Sequence, residues 1–136
     1  SLMATLYFAK LTEEDNEVVN TITLDSQYAP TELAGQKYLN SMYKWNKWKQ
    51  TYRDDADSVN PRGNYAAQGW KYREDLDMFV QSAAPYPSWT LNETTGKYEA
   101  PVAKPETYLS GQEPQFHPDE YTWNESSGQW DRVEME

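Results

Sequence analysis

The chemistry-bearing side chains of this chain are few. There is one histidine and no cysteine in 136 residues, so thiolate nucleophiles, thiolate zinc sites and disulfides are excluded. His117 stands between Phe116 and Pro118, a setting that predicts a surface or packing role and not proton transfer. Asp54, Asp55 and Asp57 open like a calcium loop. The fifth loop position is Val59 and no glycine follows at the sixth, so the template fails and a solvated acidic loop is expected. No Gly-X-Ser-X-Gly, phosphate-loop or dinucleotide glycine pattern occurs. With 22 acidic residues, nothing in the sequence selects a carboxylate pair for glycoside hydrolysis. Asn92-Glu93-Thr94 and Asn124-Glu125-Ser126 fit the glycosylation acceptor, but turn chemistry alone explains Asn and Ser/Thr there. A non-enzymatic protein without a cofactor is the expectation.

Rings are what the chain has in quantity: 6 Trp, 11 Tyr and 3 Phe. Such rings either build a core or stack on a ligand such as a sugar. Trp45, Trp48 and Tyr52, with Tyr43 beside them, belong to no repeated pattern and form the candidate interaction surface. The other four tryptophans, Trp70, Trp89, Trp123 and Trp130, fall into a pattern that recurs three times, which predicts core and cross-strand roles for them.

The three copies run from Trp70 to Phe79, from Trp89 to Tyr98 and from Tyr121 to Trp130. In each, a ring stands first and a large apolar residue third (Tyr72, Leu91, Trp123). Glu is fifth, and a ring closes at the tenth position. Residues i and i+2 share one face of a strand, so a polar turn after them brings the closing ring back across the opening pair. The eighth position is Asp77, Gly96 or Gly128, residue types that tolerate positive φ where a type I turn ends in a left-handed residue. Asn92 and Asn124 are placed to start their turns by bonding nearby backbone. Three aromatic β-hairpins are therefore predicted in the C-terminal half.

Upstream, Ala4–Leu11 and the β-branched run Val18–Leu24 flank a polar turn and predict a first hairpin. Pro30-Thr31-Glu32 starts a short helix through Met42, weakened by Gly35. Trp45–Tyr52 reads as a strand, and Asn60-Pro61-Arg62-Gly63 as a turn. Pro85-Tyr86-Pro87, Ala100–Pro105 and Gln112–Pro118 predict extended spacers between hairpins. The fold class expected is mainly β, α+β with one short helix, with antiparallel hairpins joined by Pro-rich spacers. Residues 3–100 would form a β-rich body, and residues 101–136 a Pro-rich connection plus a hairpin that must dock on the body or on another subunit, since an isolated hairpin is marginal. A subunit is the favoured partner.

The formal charge is −10 and the mean hydropathy −1.00. That field disfavours phosphate backbones and anionic lipid, so neither nucleic acid nor membrane is an expected partner. No stretch approaches the roughly 20 apolar residues of a bilayer span, and no signal-peptide pattern is visible. Ser1-Leu2 before Met3 reads as a cloning remnant.

The runs Asn64–Tyr72, Pro85–Glu93 and Tyr98–Val102 resemble small uncharacterised proteins of marine tailed phages, especially those of cyanobacteria. Tyr7-Phe8-Ala9-Lys10 and Trp48-Lys49-Gln50-Thr51-Tyr52 are similar to two further elements of those proteins. The likeness covers most of the chain, with gaps at about 25–44 and 103–119. Where this chain has Ala66-Ala67-Gln68-Gly69, the similar proteins read closer to Ala-Gly-Ile-Gly. The resemblance implies a phage accessory or virion-associated structural or assembly protein, of the tail or fibre region. It would act in the virion or the infected host cytoplasm and contact copies of itself or other virion proteins. It brings no catalytic residues. A host-glycan binding module using exposed rings is the alternative.

Overall fold

The computed structural model describes residues 4–105 and 121–133; His117 and the spacer around it lie outside the described residues. The contacts among them fall into two compact units, residues 4–83 with 93–97, and residues 84–92 with 98–105 and 121–133.

Unit 1 is organised by strand β1 (Thr5–Leu11), which pairs antiparallel with both β2 (Val18–Asp25) and β3 (Trp48–Thr51), giving the order β2-β1-β3. Alternation along β1 sends its residues to two cores. Leu6 and Phe8 join Ile22, Leu24 and Trp48 against Leu39 and Ala29, whereas Ala9 and Leu11 join Val18, Ala66, Tyr72 and Phe79. Phe8, Ala9 and Phe79 have no exposed surface. Each fully buried large side chain contributes about 1.5–3 kcal/mol, so two cores off one central strand make β1 the spine of the unit.

The helix α1 (Glu32–Tyr43) covers the Phe8 face. The Thr31 side chain caps it by accepting from the Ala34 amide at 3.1 Å, and Lys44 closes it in the left-handed conformation at φ 55°. Gly35 is required by packing. A Cβ there would stand 2.6 Å from Phe8 Cζ and 2.9 Å from Ala29 Cβ. The first repeat hairpin, β4 (Lys71–Arg73) with β5 (Met78–Val80), covers the opposite face through Tyr72 and Phe79.

All three repeats form hairpins. The second is β6 (Thr90–Asn92) with β7 (Lys97–Glu99), and the third β8 (Tyr121–Asn124) with β9 (Gln129–Arg132). Third and tenth positions are direct cross-strand partners in the first and third copies, Tyr72 with Phe79 and Trp123 with Trp130, at centroid separations of 5.2 and 5.3 Å. The eighth position has positive φ every time: Asp77 52°, Gly96 77° and Gly128 69°. The Asn124 side chain accepts from the Ser127 amide at 3.1 Å, the turn-starting bond expected of it.

In unit 2 the third hairpin finds its docking partner within the chain, where the sequence favoured another subunit. Trp89 meets Trp123 edge-on at 6.2 Å and Trp130 at 5.9 Å. Glu125 accepts from the Ser88 amide (3.0 Å) and hydroxyl (2.6 Å). Trp130 donates its indole N–H to the Val102 carbonyl at 2.7 Å. No helix among the described residues is long and apolar enough to cross a membrane.

Candidate binding cleft

Of the candidate interaction surface, Trp48 is 3% exposed and lies in the α1-side core, its indole N–H donating to the Trp45 carbonyl at 2.7 Å. It offers no face to a partner. The reason is strand alternation: pairing of Trp48 with Lys10 puts its ring on the same side as Phe8. Trp45 is half-buried, donates to the Leu11 carbonyl at 2.9 Å and lies under the Lys10 ammonium. Tyr52 is half-buried beyond β3, where its carbonyl accepts from Asn60. Tyr43, at the end of α1, is 56% exposed and the only ring of the four that stands largely in solvent. The structure does not bring these rings together as one open surface.

The hairpin rings divide differently. Tyr72, Phe79 and Trp123 are buried, and Trp70, Leu91 and Tyr98 half-buried. Trp89 and Trp130 are half-buried and line an open cleft of about 390 Å³ in unit 2, walled further by Glu99, Ala100, Val102, Ala103 and Lys104. Three features hold this cleft. Its two lining indoles, Trp89 and Trp130, are backed by the ring cluster they form with Trp123, joined by Tyr86 at 5.4 Å from Trp89. The Trp130–Val102 bond pins the 100–104 wall to β9. Glu125 latches the third hairpin to Ser88, and bonds from Ser88 and from the Trp123 indole hold its carboxyl below the usual carboxylate range. The Lys104 ammonium lies over the Trp130 ring at 5.4 Å. The Trp89 indole N–H is buried and meets no acceptor among the described residues, a cost of about 1–3 kcal/mol that ring packing must offset.

Unit 1 holds a larger hollow of about 590 Å³, lined by Asp54, Asp55, Val59, Asn60, Gly63 and Lys97 among others. Its side chains are occupied in fastening. Lys97 donates to the Gly63 carbonyl at 2.9 Å and to the Asn64 side chain. Asp54 accepts from Asn60 at 3.0 Å and from the Tyr65 amide at 3.2 Å. No group of three or more His, Cys, Asp or Glu gathers as a metal site among the described residues.

Sequence reasoning missed the polar fasteners. Arg62, 9% exposed, donates to both Glu32 oxygens (2.6 and 2.8 Å) and to the Gln50 carbonyl (2.6 Å), and pairs with Asp77 at 3.0 Å. Burial alone would raise the Glu32 carboxyl; bonds from Arg62 and the Gln50 amide, with the charges of Arg62 and Lys49, outweigh it and hold the group below its usual value. Burial, together with the bond to Asp77 and its charge, pushes the Tyr72 hydroxyl well above the usual phenol range. Asn64, buried, donates to the Phe79 and Gly96 carbonyls at 2.8 and 2.9 Å. One signal was available: Glu recurs at the fifth repeat position, and Glu125 proves to be a latch. A second lay at the eleventh, where Glu99 and Asp131 accept from Asn92 (3.4 Å) and Asn124 (2.8 Å). Comparison with protein-family models, curated proteins and solved structures finds no match, so what this chain does rests on its own geometry.

Proposed function

We propose that this chain is a non-enzymatic structural or assembly protein of a tailed-phage particle, presenting aromatic hairpins to copies of itself or to other virion proteins. The observation that carries the reading is how its polar side chains are used, the buried Arg62 and Asn64 foremost. Arg62, Glu32, Asn64 and Asp77 in unit 1, and Glu125 with Ser88 in unit 2, tie hairpins and strands to their neighbours. Side chains spent in this way rigidify a scaffold. The phage setting comes from the sequence resemblance. Mass spectrometry of purified virions is the test, beside light scattering of the purified protein. The chain is expected in particles and in an oligomer; absence from particles together with a clean monomer at high concentration rejects the reading.

The cleft of unit 2 favours a second reading, recognition of a host glycan. Two indoles and a pair of opposite charges around a concave opening form the kind of surface on which a ring-shaped polar ligand binds. A glycan-array screen of the recombinant protein tests this: a reproducible sugar class is expected, and a blank array counts against it.

A further inference from the structure

We propose that the unit 2 cleft is a subsite for one neutral hexopyranose, held between Trp89, Trp130, Glu99 and Lys104; this rests on the glycan reading above. Its volume of about 390 Å³ falls at the lower end of small-ligand sites, roughly 300–1,000 Å³. Trp130 is a preorganised platform. Its indole N–H is already bonded to the Val102 carbonyl at 2.7 Å, and Trp123 packs against its ring at 5.3 Å. A ring fixed before binding loses little entropy on contact. The C–H face of a pyranose carries partial positive charge and suits the negative face of an indole.

The charges select among ring ligands. Lys104 is donor-only and ionised Glu99 acceptor-only, and both line the cleft. A sugar hydroxyl donates and accepts, so a ring bearing several hydroxyls answers both walls. A proline-rich peptide also suits indole-lined grooves, but prolines present carbonyl acceptors and no N–H, which leaves Glu99 unmatched. A phosphorylated or carboxylated sugar meets the repulsion of Glu99 and of a net charge of −10. Lys104 is held over Trp130 at 5.4 Å by a contact worth little at an exposed site, so its ammonium can move to a hydroxyl while the sugar takes the ring face.

The test uses the full chain with ¹⁵N-labelled tryptophan, titrated with glucose, galactose, mannose, N-acetylglucosamine, maltose and cellobiose to about 100 mM, the range suited to millimolar affinity. The Trp130 indole signal, assigned through Trp130→Phe, is expected to shift saturably with at least one of these sugars while the Trp45 signal stays still. Glu99→Gln and Lys104→Met, both at exposed positions, are each expected to weaken binding about tenfold, the loss of one charge-assisted bond. No shift with any of the six sugars overturns the assignment, as does a shift that both variants leave unchanged. A response confined to a polyproline peptide overturns it too. A positive glycan array with a silent Trp130 signal sinks this subsite alone and leaves glycan recognition standing.

Discussion

Removing the guanidinium of Arg62 should expose how unit 1 is held together. Arg62→Met keeps the length of the side chain and deletes its donors. Glu32 then keeps one donor, the Gln50 amide at 2.7 Å, and the Gln50 carbonyl loses the Arg62 bond. Breaking one side of a fully buried pair costs about 3–5 kcal/mol. The Glu32 side chain retains 26% exposure, so water recovers part of that, and a loss of about 2–3 kcal/mol is expected. Against a typical total of about 5–15 kcal/mol, urea denaturation followed by circular dichroism resolves such a change.

The pH dependence gives a sharper check. In the native protein the Glu32 pKa lies below its ordinary value of 4.5. Its contribution is therefore complete above that value and fades as pH falls through the folded pKa. In the variant, burial remains while the guanidinium is gone, so the folded pKa rises instead. Protonation then relieves the variant at a pH where the native protein still holds its charge. The gap between the two should be widest near neutrality and narrow towards pH 4. A second substitution, Glu32→Gln, should recover more than half of the loss. A gap below about 0.5 kcal/mol at neutral pH, or one that widens on acidification, refutes the reasoning.

Four further substitutions test other joints by the same denaturation assay. Gly35→Ala should destabilise by about 1–3 kcal/mol through overpacking against Phe8, although helix propensity alone favours Ala by about 1 kcal/mol; a stabilised variant contradicts the close contact. Gly128→Ala should lose about 1–2 kcal/mol from its positive φ alone. Gly96→Ala should lose more, because its Cβ also meets Asn64 Nδ2 and Met78 Sδ at 3.3 Å; equal losses would show that the neighbours yield freely. Asn64→Ala should cost about 2–3 kcal/mol by stranding the Phe79 and Gly96 carbonyls, and a loss under about 0.5 kcal/mol would mean water replaces the amide.

Local geometry was legible in the chain from the start. Hairpin repeats are written in near-neighbour terms: a period of two, an Asn that opens a turn, a residue that accepts positive φ at the eighth place. Asp77, Gly96 and Gly128 carry that conformation as expected, because backbone sterics act over four or five residues. The same holds for Thr31 as the cap of α1.

Which rings face outward was not legible. Trp48 and Trp130 look alike as residues, yet pairing of β3 with β1 puts Trp48 inside while Trp130 lines a cleft. Arg62 reads as part of a polar turn, and only the meeting of α1, β3 and the first repeat hairpin around it makes it a buried clasp. Gly35 reads as a flaw in a helix until Phe8 arrives against it. Sequence determined each hairpin because its forces lie within ten residues. Burial, charge pairing and the cleft wall at Ala100–Lys104 depend on groups brought from distant parts of the chain, and only tertiary packing decides which of them meet.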